Sequence, residues 1–309
     1  MTESAHFSDA VLKYKNKVQI VYFSGTGGTA RVALSFEKTF TEKGIEVVKV
    51  PLDMQEAGYQ QTPSIENLVG LLVLIFPVHA FDAPEPVYEW IAGIPEVKGL
   101  PCVVISVSGG GEMWPNTCCR AGCIELLESK GYSPFYERML VMPSNIFFLT
   151  KEQLAVQLLK ILPLKVELSV DEILAGVRRR TKKSLAAGFV AALSKLEKSK
   201  AQEFGRDLKA HDSCTGCGWC SGKCPRKNIQ IRDGKPVFGD RCVLCLRCIY
   251  GCPVRAIYSQ HYSPLLVKEG YSLNQIEKRE NDIEILPPNK IKAGILYIAL
   301  KKYLKDISF

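Results

Sequence analysis

Eight of the twelve cysteines in this 309-residue chain fall between positions 214 and 252. They form two runs: Cys214, Cys217, Cys220 and Cys224 before Pro225, then Cys242, Cys245, Cys248 and Cys252 before Pro253. Both read C-x2-C-x2-C-x3-C-P. Three thiolates at that spacing wrap three irons of one [4Fe-4S] cubane, and a fourth lies just beyond. Zinc is the competing use, but zinc sites pair a short C-x2-4-C unit with a distant second pair. Disulfides are a third use. The amino terminus, MTESAHFSDAVLKYKNK, is polar and shows no leader, so a reducing compartment is expected and the cysteines read as ligands. Cys102, Cys118, Cys119 and Cys123 lack ligand spacing and read as small buried residues.

The stretch FSGTGGTARVA at 23–33 interleaves Ser24, Thr26 and Thr29 with Gly25, Gly27 and Gly28. It follows an apolar run and opens an amphipathic one. A loop between a buried strand and a helix offers an anion its unpaired N–H groups and the helix dipole. A P-loop needs a lysine, which is absent. Gly25, Gly27 and Ala30 also fit the dinucleotide fingerprint, with Asp53 near where a ribose-binding acid would sit. The alternating hydroxyls are better matched to a terminal phosphate, a dianion with more oxygens to satisfy. A mononucleotide is therefore preferred.

Those residues need a scaffold. Apolar runs at 18–24, 45–52, 71–78, 101–108 and 136–143 read as strands. Helices are expected after the glycine loop (Val32, Ala33, Phe36 and Phe40, stopped by Gly44), at 84–94 and at 117–132. Alternating strand and helix implies a parallel sheet with right-handed crossovers. The pattern is helical from 149 to about 205. There RRRTKK (178–183) leads into a face of Leu185, Phe189, Val190, Leu193 and Leu196, read as solvated rather than as a phosphate or partner contact. The cysteine-rich segment carries a hairpin with Asp233-Gly234 at its turn, and Ile229 and Ile257 are equivalent in its repeat. LPPNK (286–290) breaks the tail. A last helix follows, apolar at Ile291, Ile295, Ile298 and Ala299 and basic at Lys301, Lys302 and Lys305. It is expected to pack on its own domain or a neighbour, with peripheral membrane contact as the alternative.

The loop Ser24-Gly25-Thr26-Gly27-Gly28-Thr29 resembles the phosphate loop of flavodoxins, T-x-T-G-x-T. The cysteine runs are similar to those of bacterial two-cluster ferredoxins. With FPV…P and MPSN (142–145) in matching order, residues 18–262 resemble flavodoxin–ferredoxin fusion proteins. The resemblance implies an α/β flavodoxin-like five-stranded parallel sheet of order 2-1-3-4-5 with a helical insert, plus a small α+β two-cluster ferredoxin domain. It divides the chain at 1–150, 151–205, 206–262 and a tail at 263–309. It implies FMN held by residues 24–29 and by the loops after strands three and four: Pro77, Val78, His79, Ala80 and Phe81, then Ser108, Gly109, Gly110, Gly111 and Trp114. The glycines would let backbone approach a flat ring, and His79, Phe81 and Trp114 are aromatic candidates to cover it. It implies two [4Fe-4S] clusters with exchanged fourth ligands. Cluster I takes Cys214, Cys217, Cys220 and Cys252; cluster II takes Cys242, Cys245, Cys248 and Cys224. Flavodoxins turn a peptide at a glycine in the loop beneath the ring. The run 79–83 has none, so positive φ there is expected to be strained except at Asp82.

Function follows from that chemistry. Flavin and clusters in one chain suit an electron carrier relaying between redox partner proteins, and no side chain stands out as a nucleophile or acid–base pair. The alternative is a flavin-dependent reductase of a small substrate or of a partner's metal centre. A non-redox scaffold is disfavoured by the complete ligand sets. The formal charge of +8 is offset by roughly −2 for each loaded cluster and for a bound phosphate, so nucleic acid is not expected. The longest apolar run, 69–78, is too short to span a bilayer, and a cytoplasmic protein is expected. A homo- or hetero-oligomer stays open.

Overall fold

The structure is a computed structural model describing residues 17–52, 69–146, 150–181, 199–283, 290 and 298–305. Asp53, the face from Leu185 to Leu196, Ile291 and Ile295 lie outside the described residues.

Five parallel strands form the sheet: β1 (Lys17–Tyr22), β2 (Glu46–Pro51), β3 (Leu71–Pro77), β4 (Leu100–Ser108) and β5 (Tyr132–Val141). Their order is β2-β1-β3-β4-β5, the flavodoxin-like doubly wound order. β3 is buried from Leu71 to Phe76 because helices cover both faces of the sheet. Alternate residues feed two cores. Ile20, Val73, Ile75 and Ile105 meet Val32, Phe36 and Phe40 of α1 (Gly28–Glu42) and Leu158, Val166 and Val170 of α4 (Glu152–Leu174). Val21, Leu72, Leu74 and Val104 meet Trp90 and Ile91 of α2 (Glu85–Gly93) and Ile124 and Leu127 of α3 (Ala121–Ser129). Cys102, Cys119 and Cys123 are buried in this second core.

Three expectations are corrected. The helix expected at 117–132 is a 3-10 turn, Asn116–Arg120, followed by α3. β5 begins at Tyr132 rather than 136. Its pairing shifts between Cys102 and Val103, where Pro134 is followed by an extra residue, Phe135. A proline without an N–H is accommodated at such a bulge. The basic run is exposed, as expected, but it is not helical where it is described. Arg179 bridges to Tyr136 at the edge of β5, donating to Phe135 O (3.0 Å) and accepting from Glu137 N (2.8 Å). Arg180 donates to Glu137 (2.9 Å), which also receives buried Arg120 (3.0 Å). Two guanidinium groups thus neutralise one buried carboxylate.

The cysteine-rich module follows a helical stretch over 199–207. β6 (Leu208–Ala210) pairs antiparallel with β9 (Ile257–Ser259), and β7 (Ile229–Arg232) with β8 (Lys235–Phe238). The β7–β8 turn has φ 48° at Asp233 and 72° at Gly234, as a two-residue hairpin requires. Two short helices, α5 (Trp219–Lys223) and α6 (Arg247–Tyr250), carry cysteines. The described tail returns to the α/β domain. Tyr271, Leu273 of α7 (Leu273–Lys278), and Leu300, Tyr303 and Leu304 of α8 (Ile298–Lys305) join the first core.

Candidate functional site

The carboxyl ends of β1, β3 and β4 open into a cavity of about 470 Å³. The β1 loop supplies its anion-binding corner. Gly27, at φ 96°, turns the chain into α1, and Ser24 Oγ accepts from Ala30 N at 3.2 Å. Asn145 Nδ2 donates to Thr26 Oγ1 at 2.8 Å. On the β4 side, a side chain on Gly109 would reach Ser144 Cβ at 2.8 Å, so only glycine allows the two loops this approach. Asn116 Nδ2 donates to Ser108 Oγ (3.3 Å) and Gly111 O (3.0 Å), holding the glycine loop.

The β3 loop departs from expectation. His79 and Asp82 exchange backbone hydrogen bonds of 2.9 and 2.8 Å around a two-residue turn. The left-handed residues are Ala80 (φ 52°) and Phe81 (φ 62°), not Asp82. This conformation suits glycine or asparagine and is strained for alanine and phenylalanine. Asp82 Oδ1 instead anchors the turn, accepting from Ala83 N and Tyr88 OH at 2.8 and 2.5 Å. His79 packs edge-on to Phe23. Burial holds its imidazole down at about 4, against the opposing effect of its hydrogen bond to the Val243 backbone.

Of the residues expected around a flavin, Ser24, Gly25, Thr26, Gly28, Thr29, Pro77, Val78, His79, Ala80, Phe81, Ser108, Gly109 and Gly110 line this cavity. Gly27, Gly111 and Trp114 do not. The first two turn the backbone at positive φ, and Trp114 is 57% exposed. Sequence reasoning missed Asn116, Met142–Ile146, Tyr271 and Cys242–Leu246 as lining residues. The 142–146 loop could have been found, since ligands in open α/β sheets lie beyond the carboxyl ends of strands. No local signal marks the other two distant segments.

The second cysteine run sits on the phosphate-type loop. A Cβ on Gly25 would lie 2.4 Å from Cys245 O. Arg247 donates to Gly25 O (3.2 Å) and to Ser24 O. Tyr250 OH reaches Asn145 O at 2.8 Å.

Within the module the eight thiols gather around two small cavities. Cys214, Cys217, Cys220 and Cys252 line one; Cys224, Cys242, Cys245 and Cys248 line the other. The runs repeat down to the backbone. Asn228 N donates to Cys224 Sγ and Ala256 N to Cys252 Sγ, both at 3.3 Å. Left-handed residues recur at equivalent offsets: Gly216 with Leu244, Gly218 with Leu246, and Lys227 with Arg255. Burial pushes the Cys242 thiol up to about 12 and Cys248 well above the ordinary range. Four cysteine residues line each of two cavities, the number a cubane cluster uses, and the hydroxyl-rich helix N-terminus suits a phosphate.

Among the described residues, no helix is long and apolar enough to cross a membrane. The chain matches no protein-family model. It is 24% identical over 157 residues to an uncharacterized polyferredoxin-like protein of Methanocaldococcus jannaschii, covering 45% of this chain and 88% of that protein. Among solved structures it is similar to a flavodoxin from the domain Archaea (13% identity, 50% of this chain and 99% of that one, TM-score 0.33). It is likewise similar to the flavodoxin of Streptococcus pneumoniae TIGR4 (15%, 50% and 99%, TM-score 0.35). The strand order itself defines a flavodoxin-like fold for the sheet, and the segment after it carries two C-x2-C-x2-C-x3-C-P runs.

Proposed function

We propose that this chain is an electron-transfer protein that holds FMN in the cavity at the strand ends and two [4Fe-4S] clusters in the cysteine module. The observation carrying this reading is the shared wall: Cys242–Leu246, from the second cysteine run, line the same cavity as the β1 phosphate-type loop. FMN exchanges electrons singly or in pairs, whereas each cluster passes one at a time, so a chain holding both can serve partners of different stoichiometry.

The chain's own residues have definable tasks. Ser24, Thr26 and Thr29, with the α1 N-terminus, would bind the terminal phosphate. Gly109 and Gly110 would admit the ring, and the Ala80–Phe81 turn would flank it. His79, kept neutral by burial, adds no charge to the cavity wall. Cys214, Cys217, Cys220 and Cys252 would hold cluster I. Cys224, Cys242, Cys245 and Cys248 would hold cluster II. Cys242 and Cys245 of the second quartet also line the cavity at the strand ends, so cluster II would be the neighbour of the flavin and cluster I the outer station. Cys217, the exposed member of the first quartet, supports cluster I as the port for protein partners.

A reductase of a small substrate, or of a partner's metal centre, would need the cavity open to its substrate. The second cysteine run and Tyr271 form part of the cavity wall, and the carrier is preferred because that wall brings the cysteine module to the cavity. Anaerobic purification of the full chain, with an absorption spectrum and flavin, iron and sulfide analysis, tests the reading. It expects about one FMN and about eight iron atoms per chain. Recovery of FAD, or of zinc in place of iron, overturns it.

A further inference from the structure

We infer that FMN retention depends on the loading of cluster II, and that Arg247 is the positioning residue joining the two sites. The inference rests on the cofactor assignment above and adds a dependence of one site on the other.

The first support is where the contacts fall. Cys245 O abuts Gly25, Arg247 donates to Ser24 O and Gly25 O, and the Val243 backbone is hydrogen-bonded to His79. No residue from 214 to 224 lines the flavin cavity. Of the two cysteine runs, only the second reaches the anion-binding corner, which Asn145 also supports through Thr26.

The second support is the backbone of the two runs. At equivalent offsets the first run uses Gly216 (φ 68°) and Gly218 (φ 74°), and the second uses Leu244 (φ 53°) and Leu246 (φ 59°). Left-handed backbone is free for glycine and costly for leucine. Such strain persists only where the surroundings over-determine it. Sulfurs pinned to one cluster provide that constraint. Without the cluster, the second loop has reason to relax and the first does not.

The third support is the place of Arg247 in the chain, between Cys245 and Cys248. The cluster loop therefore fixes where its side chain starts. The guanidinium, held also by Lys223 O at 3.1 Å, fixes two peptide orientations of the phosphate loop and sets a positive charge behind it. Relaxation of the cysteine loop withdraws both effects together. Linkage is reciprocal, so bound FMN must favour cluster II by the same factor.

The test measures FMN affinity by quenching of flavin fluorescence on the full-length chain, freed of flavin, with clusters quantified by electron paramagnetic resonance after reduction. Chelation of iron should weaken FMN binding by about tenfold or more, and reconstitution should restore it. Cys224→Ala, a proposed cluster II ligand outside the flavin cavity, should weaken it equally. Cys214→Ala, with the cluster II signal intact, should leave it within about twofold. Arg247→Gln should weaken FMN by about five- to tenfold with both cluster signals retained, and Arg247→Lys should recover part of the loss. Equal affinity with and without iron, or equal weakening by Cys214→Ala and Cys224→Ala, overturns the coupling while leaving the cofactor assignment standing. A loaded wild-type chain that binds no FMN overturns both.

Discussion

The carbonyl of Cys245 lies against the α-carbon of Gly25, so closely that a methyl group there would sit 2.4 Å from the oxygen. Gly25 is required by this contact between two domains. It is not among the residues with positive φ.

Gly25→Ala should therefore push the cysteine loop off the phosphate loop. The expected cost is about 1–3 kcal/mol of stability, as for other overpacked sites, with weaker FMN binding. Gly222→Ala is the matched control. It lies in α5 with nothing within 4 Å of its would-be Cβ, and should leave stability unchanged or improve it by up to about 1 kcal/mol. Denaturant unfolding of both variants decides the matter; equal stability would remove the contact from the account.

The grouping of thiols around two cavities yields a sharper test. Cys224→Ala with Cys242→Ala should remove one cluster and leave the other's paramagnetic signal intact, because both belong to one quartet. Cys224→Ala with Cys214→Ala should damage both. The reverse result would mean that each run binds its own cluster with four consecutive cysteines.

Ala80 holds a left-handed conformation that costs an L-residue roughly 1–2 kcal/mol. Ala80→Gly should relieve this, less the added entropy of the unfolded chain, for a net gain of about 0.5–1 kcal/mol. Thermal unfolding of the flavin-free chain should shift upward. A fall would mean that the turn is not strained.

His79 gives the flavin-free chain a pH dependence of definite sign. Its pKa is about 4 when folded and 6.5 unperturbed, so between those values the unfolded chain binds more protons. Its contribution to stability is fully present above 6.5 and is lost progressively as pH falls toward 4. His79→Gln should flatten the stability profile across that window. An unchanged slope would place the titration elsewhere.

The sequence made the sheet legible through local signals, its apolar runs and its glycine–hydroxyl loop, while the strand order followed from the resemblance those signals carried. Trp114 lies outside the cavity lining and is exposed, a placement that an aromatic beside glycines does not reveal in the sequence. The positive φ of Ala80 and Phe81 was not legible because their turn is imposed by Asp82 and its anchors, not by their own preferences. Val243 and Tyr271 carry no mark of the cavity at the strand ends. Their place depends on how the module and the tail fold back over a domain that begins more than two hundred residues earlier.

Arg179 has a consequence for how copies of this protein meet. β5 is an outer strand, and outer strands invite neighbours to add to them and grow ribbons. Here Phe135 O and Glu137 N are already engaged by a single residue of returning chain. Beside it Arg180 is locked to Glu137 and Glu128. An incoming strand would have to displace that residue and strip a paired charge before making its first bond. This margin of the sheet is thereby guarded against aggregation by one borrowed peptide.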